Sequence, residues 1–168
     1  MTRSTDGSGP DEDRNLGPQT GNCFGCASDH EKGLRMTFAR DGEGLVANVR
    51  LCKDYESYPG VVHGGIVATL LDEAMARIVL TKTGTPTVTV GMRVRYARVM
   101  RSRESYRVVA TMGEVKNGVA SAEARVLDED GATVAAAGGT FLSLPGKSVS
   151  AESGFPTAMI ESIVAYQG

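Results

Sequence analysis

From residue 64 to about residue 80 the apolar side chains fall at helical spacing, whereas from Thr87 onward they alternate at strand spacing, so the chain must cover one long helix with one sheet. At about 100° per residue, Ile66, Val67, Leu70, Leu71, Ala74, Met75 and Ile78 share a broad apolar face. Lys82 to Pro86 ends the helix. Four strands are predicted after it, at residues 87–99, 103–116, 119–128 and 132–144. Asn117-Gly118, set between two alternating runs, predicts a two-residue type I′ hairpin, and Asp130-Gly131 makes a similar but weaker case for the next turn. In the first of these strands Val88, Val90, Met92, Val94 and Tyr96 form one face, and Thr87, Thr89, Gly91, Arg93 and Arg95 the other. Upstream, Leu34, Met36 and Phe38 alternate before the Asp41-Gly42 turn, and Leu45, Ala47, Val49 and Leu51 alternate after it, which predicts a further hairpin. One helix and about six mainly antiparallel strands place the chain in the α+β class, with the apolar face of the helix laid across the concave side of a curved sheet.

The rest of the chain adds no second domain. Residues 1–20 are rich in Gly, Pro, Ser and charge and read as a disordered tail. Residues 21–145 form the folded domain, and 146–168 an extension whose stretch 156–166 suits a short helix.

The far side of the helix is unusual. Around Asp72, which supplies the only charge on that side, sit Gly65, Ala68, Thr69 and Ala76, where an ordinary solvated face would carry Lys and Glu. Small residues there imply close approach by a substrate, a second subunit or both. At the start of the helix, His63-Gly64-Gly65 offers backbone N–H groups without intrahelical acceptors, and the helix dipole favours a developing oxyanion at them. A carboxylate such as Asp72 can serve as base or nucleophile. The ordinary alternative is a flexible turn, a capping His63 and a solvated Asp72. Eight residues separate Gly64 from Asp72, about 12 Å along a helix, too far for both to address one carbonyl carbon. If two such helices run antiparallel across a two-fold axis, Gly64 of one lies beside Asp72 of the other, so a homodimer is expected, with further pairing of dimers left open.

Composition excludes several classes. With 18 basic and 20 acidic residues, and a net charge of −2, the chain lacks the basic field of a nucleic-acid binder. No apolar run approaches the roughly 20 residues that span a bilayer, and the first residues lack a secretory leader's apolar stretch, so a cytoplasmic protein is expected. Three cysteines, Cys23, Cys26 and Cys52, do not suit a secreted disulfide framework. Cys23 and Cys26, with His30 four residues on, offer part of a zinc site without a second ligand pair, so no metal is expected and the thiols read as packing groups.

The run Tyr58-Pro59-Gly60-Val61-Val62-His63-Gly64-Gly65-Ile66-Val67-Ala68-Thr69-Leu70-Leu71-Asp72 resembles the signature of the hotdog-fold thioesterases, specifically the group related to the phenylacetate-pathway thioesterase. The likeness extends from about Gly33 to Leu144. Asn22-Cys23-Phe24-Gly25-Cys26 followed by Gly33-Leu34 is similar to a lead-in of many bacterial members. The resemblance implies hydrolysis of an acyl-coenzyme A thioester without a cofactor, in a dimer paired across the helix. It implies Asp72 as catalytic carboxylate, Gly64 as backbone oxyanion donor, Gly65 beside it, and His63 orienting the thioester end or the loop. Thr89 matches a strand position that helps to place water in related enzymes, and Thr87 is its neighbour. An Asn six residues before the motif His serves in some members; here that position is Ser57.

Six arginines lie between Arg93 and Arg107. Most such runs are solvated strand faces. Guanidinium groups also match phosphate oxygens in bidentate geometry, and Arg98, Arg101 and Arg103 near the turn are the candidates for coenzyme A. Pocket depth would be set by Met75, Val79 and Met92. A hydratase or dehydratase of the same fold and a non-catalytic acyl-coenzyme A binding protein are the competing readings.

Overall fold

The computed structural model describes residues 22–144; the expected tail (1–20) and extension (146–168) lie outside them. The chain runs β1 (Ala39–Asp41), β2 (Gly44–Val49), a 3₁₀ turn (Lys53–Tyr55), β3 (Glu56–Tyr58), β4 (Val61–Val62), α1 (Gly64–Thr83), β5 (Thr87–Tyr96), β6 (Tyr106–Lys116), β7 (Val119–Leu127) and β8 (Thr133–Ser143). Six strands form one antiparallel sheet in the order β1-β2-β6-β7-β8-β5, and β3 pairs with β4 in a separate hairpin. This is the predicted helix-on-sheet arrangement.

Helix α1 packs against β2, β5, β6, β7 and β8. Leu70, Leu71, Ala74, Met75 and Ile78 from the predicted face are fully buried, as is Val79. The sheet meets these large side chains with small ones: Ala120, Ala122, Ala124, Ala135 and Ala137 are all buried. At Gly139 a Cβ would come within 3.1 Å of Met75 Cε, so the missing side chain on β8 makes room for the helix. Met75 and Val79 are fully buried in the core, and Met92 is exposed. Arg77, which the helical projection did not mark, is also buried, with its guanidinium 6.0 Å from the centre of the Phe38 ring.

Turn chemistry held where it was strongest. Asn117 and Gly118 both have positive φ, 51° and 78°, as a type I′ turn requires. After β7 the connection is wider than two residues: Asp128 N–H donates to Ala132 O, and Asp128 Oδ1 accepts from Ala132 N–H. The helix runs three residues past its predicted end, to Thr83, and stops at Gly84 in the left-handed region, whose N–H donates to Leu80 O.

Two expectations need correction. Residues 34–38 are not a strand, although Met36 and Phe38 are buried. Leu34 N–H donates to Phe24 O and Met36 N–H to Gly25 O, so this segment pairs with the Cys23–Cys26 loop instead of with β2, and only β1 completes the hairpin. The second correction concerns β5, where the register slips between Thr89 and Gly91, leaving Val90 as an extra residue opposite β8. A bulge reverses the alternation beyond it. Thr89 consequently faces the helix together with Val94 and Tyr96, which the simple odd-even pattern had put on the opposite side.

Candidate active site

The site is built on α1 and on β5, which returns along it. Two hydrogen bonds fix their relation. Thr89 Oγ1 donates to Asp72 Oδ1 at 2.8 Å, and Tyr96 Oη donates to Gly64 O at 2.9 Å. The bulge at Val90 allows both contacts from one strand.

At the Asp72 end the carboxylate is half-buried, and Thr89 is exposed. Its neighbour Glu73 turns away, since Glu73 Oε2 accepts from Cys23 Sγ at 3.4 Å. Asp72 is thus the carboxylate left facing the small-residue side, with one oxygen held by a hydroxyl. Thr87 lies two residues before Thr89 on the same strand, and no hydrogen bond links it to Asp72 among the described residues.

At the other end, the β3–β4 hairpin delivers the chain into the helix, with His63 N–H donating to Tyr55 O and Val62 N–H to Met100 O. His63 is the helix N-cap: its Nδ1 accepts from Gly65 N–H at 2.9 Å. An Nδ1 that accepts leaves Nε2 of this exposed residue as the ring donor. The same bond uses up the Gly65 amide, so Gly65 supplies close approach rather than a second oxyanion donor; a Cβ there would lie 3.0 Å from His63 Nδ1. Gly64 N–H, by contrast, has no acceptor among the described residues. Beside it opens a cleft of about 370 Å³ whose lining includes Val61, Val67, Tyr96, Arg98, Val99 and Met100. Tyr96 was not foreseen, because its contact with Gly64 joins residues 32 positions apart.

The hairpin also locates the remaining candidates. Ser57 is exposed at the register shift of β3. Arg101 bridges to Val61, and Ser102 N–H donates to Gly60 O, which brings the arginine-bearing turn to the Gly64 end. Arg98 is partly committed, with Nη1 3.1 Å from Asp128 Oδ2. Arg103 has positive φ, and its carbonyl accepts from Arg50 Nε. Arg101 is exposed and makes no ion pair among the described residues.

A second cluster lies behind the helix. Cys23 is exposed and Cys26 buried, and their sulfurs meet Glu73. Burial, then the hydrogen bond and charge of Glu73, push the Cys26 thiol well above its usual range. His30, the ligand that the local spacing suggested, is not in this group; its ring packs edge-on against Phe24.

Comparison with known proteins agrees with this architecture. The family model described as the thioesterase superfamily matches residues 59–135. A solved thioesterase superfamily protein is 36% identical over 65% of this chain and 84% of its own, with a TM-score of 0.60. Another is 20% identical with a TM-score of 0.66, covering 71% of this chain, which spans only 59% of that neighbour's length. A hypothetical thioesterase from Streptococcus pneumoniae TIGR4, solved with coenzyme A, is 17% identical over 67% of this chain and 88% of its own, with a TM-score of 0.60. Curated proteins give no match. The fold is the hotdog fold, and the chain belongs to the thioesterase superfamily. No helix among the described residues is long and apolar enough to cross a membrane.

Proposed function

We propose that the protein hydrolyses acyl-coenzyme A thioesters, in the manner of the phenylacetate-pathway group, at sites assembled between two protomers. The observation that carries this reading is the Thr89-held Asp72 carboxylate on an uncrowded helix face, about 12 Å by helical rise from the unsatisfied Gly64 amide. Superfamily membership and the coenzyme A of the S. pneumoniae protein support the substrate class.

In the reaction Asp72 takes a proton from water as hydroxide adds to the thioester carbonyl, or attacks that carbonyl itself to give an anhydride that water then opens. Charge that develops on the carbonyl oxygen is met by Gly64 N–H, aided by the positive end of the helix dipole. The C–S bond breaks and the electron pair leaves on sulfur. A simple thiol has a pKa of about 8.5, so the thiolate departs without the strong general acid that an amide would need. One carboxylate suffices. His63 Nε2–H can donate to the substrate at the same end of the site.

Pairing is supported by the position of β5 at the end of the sheet order, beside the functional face of α1. An edge strand of 10 residues is a template for another chain. Tyr58, Tyr96 and Val99 add exposed apolar surface at 74%, 52% and 55% exposure.

The direct test is a panel of acyl-coenzyme A substrates assayed with a thiol-reactive dye. Catalytic release of free thiol is the expected result. Tight binding without turnover would favour an acyl-coenzyme A binding protein, and water addition to an unsaturated acyl chain would favour a hydratase. Because Arg101 is exposed at the Gly64 end and makes no ion pair among the described residues, Arg101→Glu should raise KM several-fold with little change in kcat; an unchanged KM would remove Arg101 from the coenzyme A contacts.

A further inference from the structure

The sequence Cys23-Phe24-Gly25-Cys26 folds into a tight turn, with Ala27 N–H donating to Cys23 O. Backbone bonds from Leu34 to Phe24 and from Met36 to Gly25 hold that turn against the following segment. The two sulfurs then come to one side, where α1 presents Glu73. One ligand atom from each of Cys23, Cys26 and Glu73 lies within 4.8 Å of the other two, and Cys23 Sγ is 3.4 Å from Glu73 Oε2. Tetrahedral zinc, with Zn–S near 2.3 Å and Zn–O near 2.0 Å, requires its ligand atoms to stand about 3.5 Å apart. The spacing fits.

Gly25 permits this approach: a Cβ built there would stand 2.7 Å from Glu73 Cγ, so the flexible Glu73 side chain would have to swing aside. Deprotonated, these groups repel one another; a divalent cation turns that repulsion into attraction. A disulfide between the two cysteines would leave the Glu73 carboxylate without its thiol partner Cys23.

We propose that Cys23, Cys26 and Glu73 bind a zinc-class divalent cation through two thiolates and one carboxylate oxygen, the fourth position going to water. Binding releases the two thiol protons to solvent. The ion ties the segment before β1 to the helix at the residue next to Asp72, so it fixes the rear of the active-site helix without entering the reaction. This site stands whether or not the protein is a thioesterase.

The test uses the full chain, reduced and stripped with a chelator, then titrated with Co²⁺. A thiolate-to-cobalt charge-transfer band saturating at one ion per chain, with proton release and displacement by Zn²⁺, is the expected result. Cys23→Ser, at an exposed position, should abolish the band with circular dichroism unchanged. Glu73→Gln should keep a weakened band and lose more than about tenfold in affinity, since even outer-shell changes cost that much. Cys52→Ser, outside the cluster, should titrate as the unaltered chain does. Absence of the band, or a Glu73→Gln protein that binds as tightly as the parent, would overturn the proposal.

Discussion

Asp72→Asn should lower kcat on the order of 10³-fold while leaving the fold and assembly intact, because a side chain that no longer accepts a proton or attacks carbon loses the whole general-base or nucleophilic contribution. The substitution is well suited to the local geometry. Thr89 Oγ1 donates to Asp72 Oδ1, and an Asn carbonyl oxygen at that place accepts the same bond. Asp72 is half-buried, outside the apolar core formed by Leu70, Leu71, Ala74 and Met75, so no packing changes with it. The loss should fall on kcat at saturating substrate, with light scattering and thermal unfolding close to those of the parent. If Asp72→Asn hydrolysed acyl-coenzyme A at near-parental rates, the carboxylate would have to be sought elsewhere. Glu73 is a poor substitute, since Cys23 already engages it.

How far the site could be read in advance depended on how local its determinants are. The helix, its apolar face and the Asn117-Gly118 turn were legible because each is set by residues within a few positions of one another. Thr89 was singled out only through family resemblance, as a residue that helps to place water, and its bond to Asp72 was not foreseen. On simple alternation Thr89 shares a face with Arg93 and Arg95, and nothing in Val88-Thr89-Val90-Gly91 announces that the strand will bulge; that slip comes from the register with β8. Tyr96 was missed for a different reason: alternation groups it correctly with Val94, but its contact with Gly64 joins residues 32 positions apart. Glu73 was missed for another: it stands 50 residues from Cys23, beyond the reach of any local ligand spacing. The Gly65 amide looked available until the structure showed His63 capping it, a bond that hinges on one side-chain rotamer.

Gly64→Pro should cost about 10²–10³-fold in kcat, the usual effect of deleting one oxyanion donor, because proline has no N–H to donate. Proline is tolerated at the first position of a helix, where the N–H has no intrahelical acceptor. The residue before it must be extended, and His63 already has φ −59° and ψ 134°. A Cβ at position 64 would meet the Tyr96 ring at 3.7 Å, an ordinary contact. Gly64→Ala, which keeps the N–H, should therefore retain most activity. The pair of variants also tests where the site is assembled. When Gly64→Pro and Asp72→Asn chains are dissociated together and reassociated, half of the dimers carry one of each. If Gly64 of one protomer works with Asp72 of the other, each mixed dimer has one site with both groups intact, and the mixture recovers about a quarter of the parental activity. If both groups serve a site within one protomer, no intact site arises and the mixture stays as inactive as its components. Recovery on mixing would locate the reaction between subunits without any structure of the dimer.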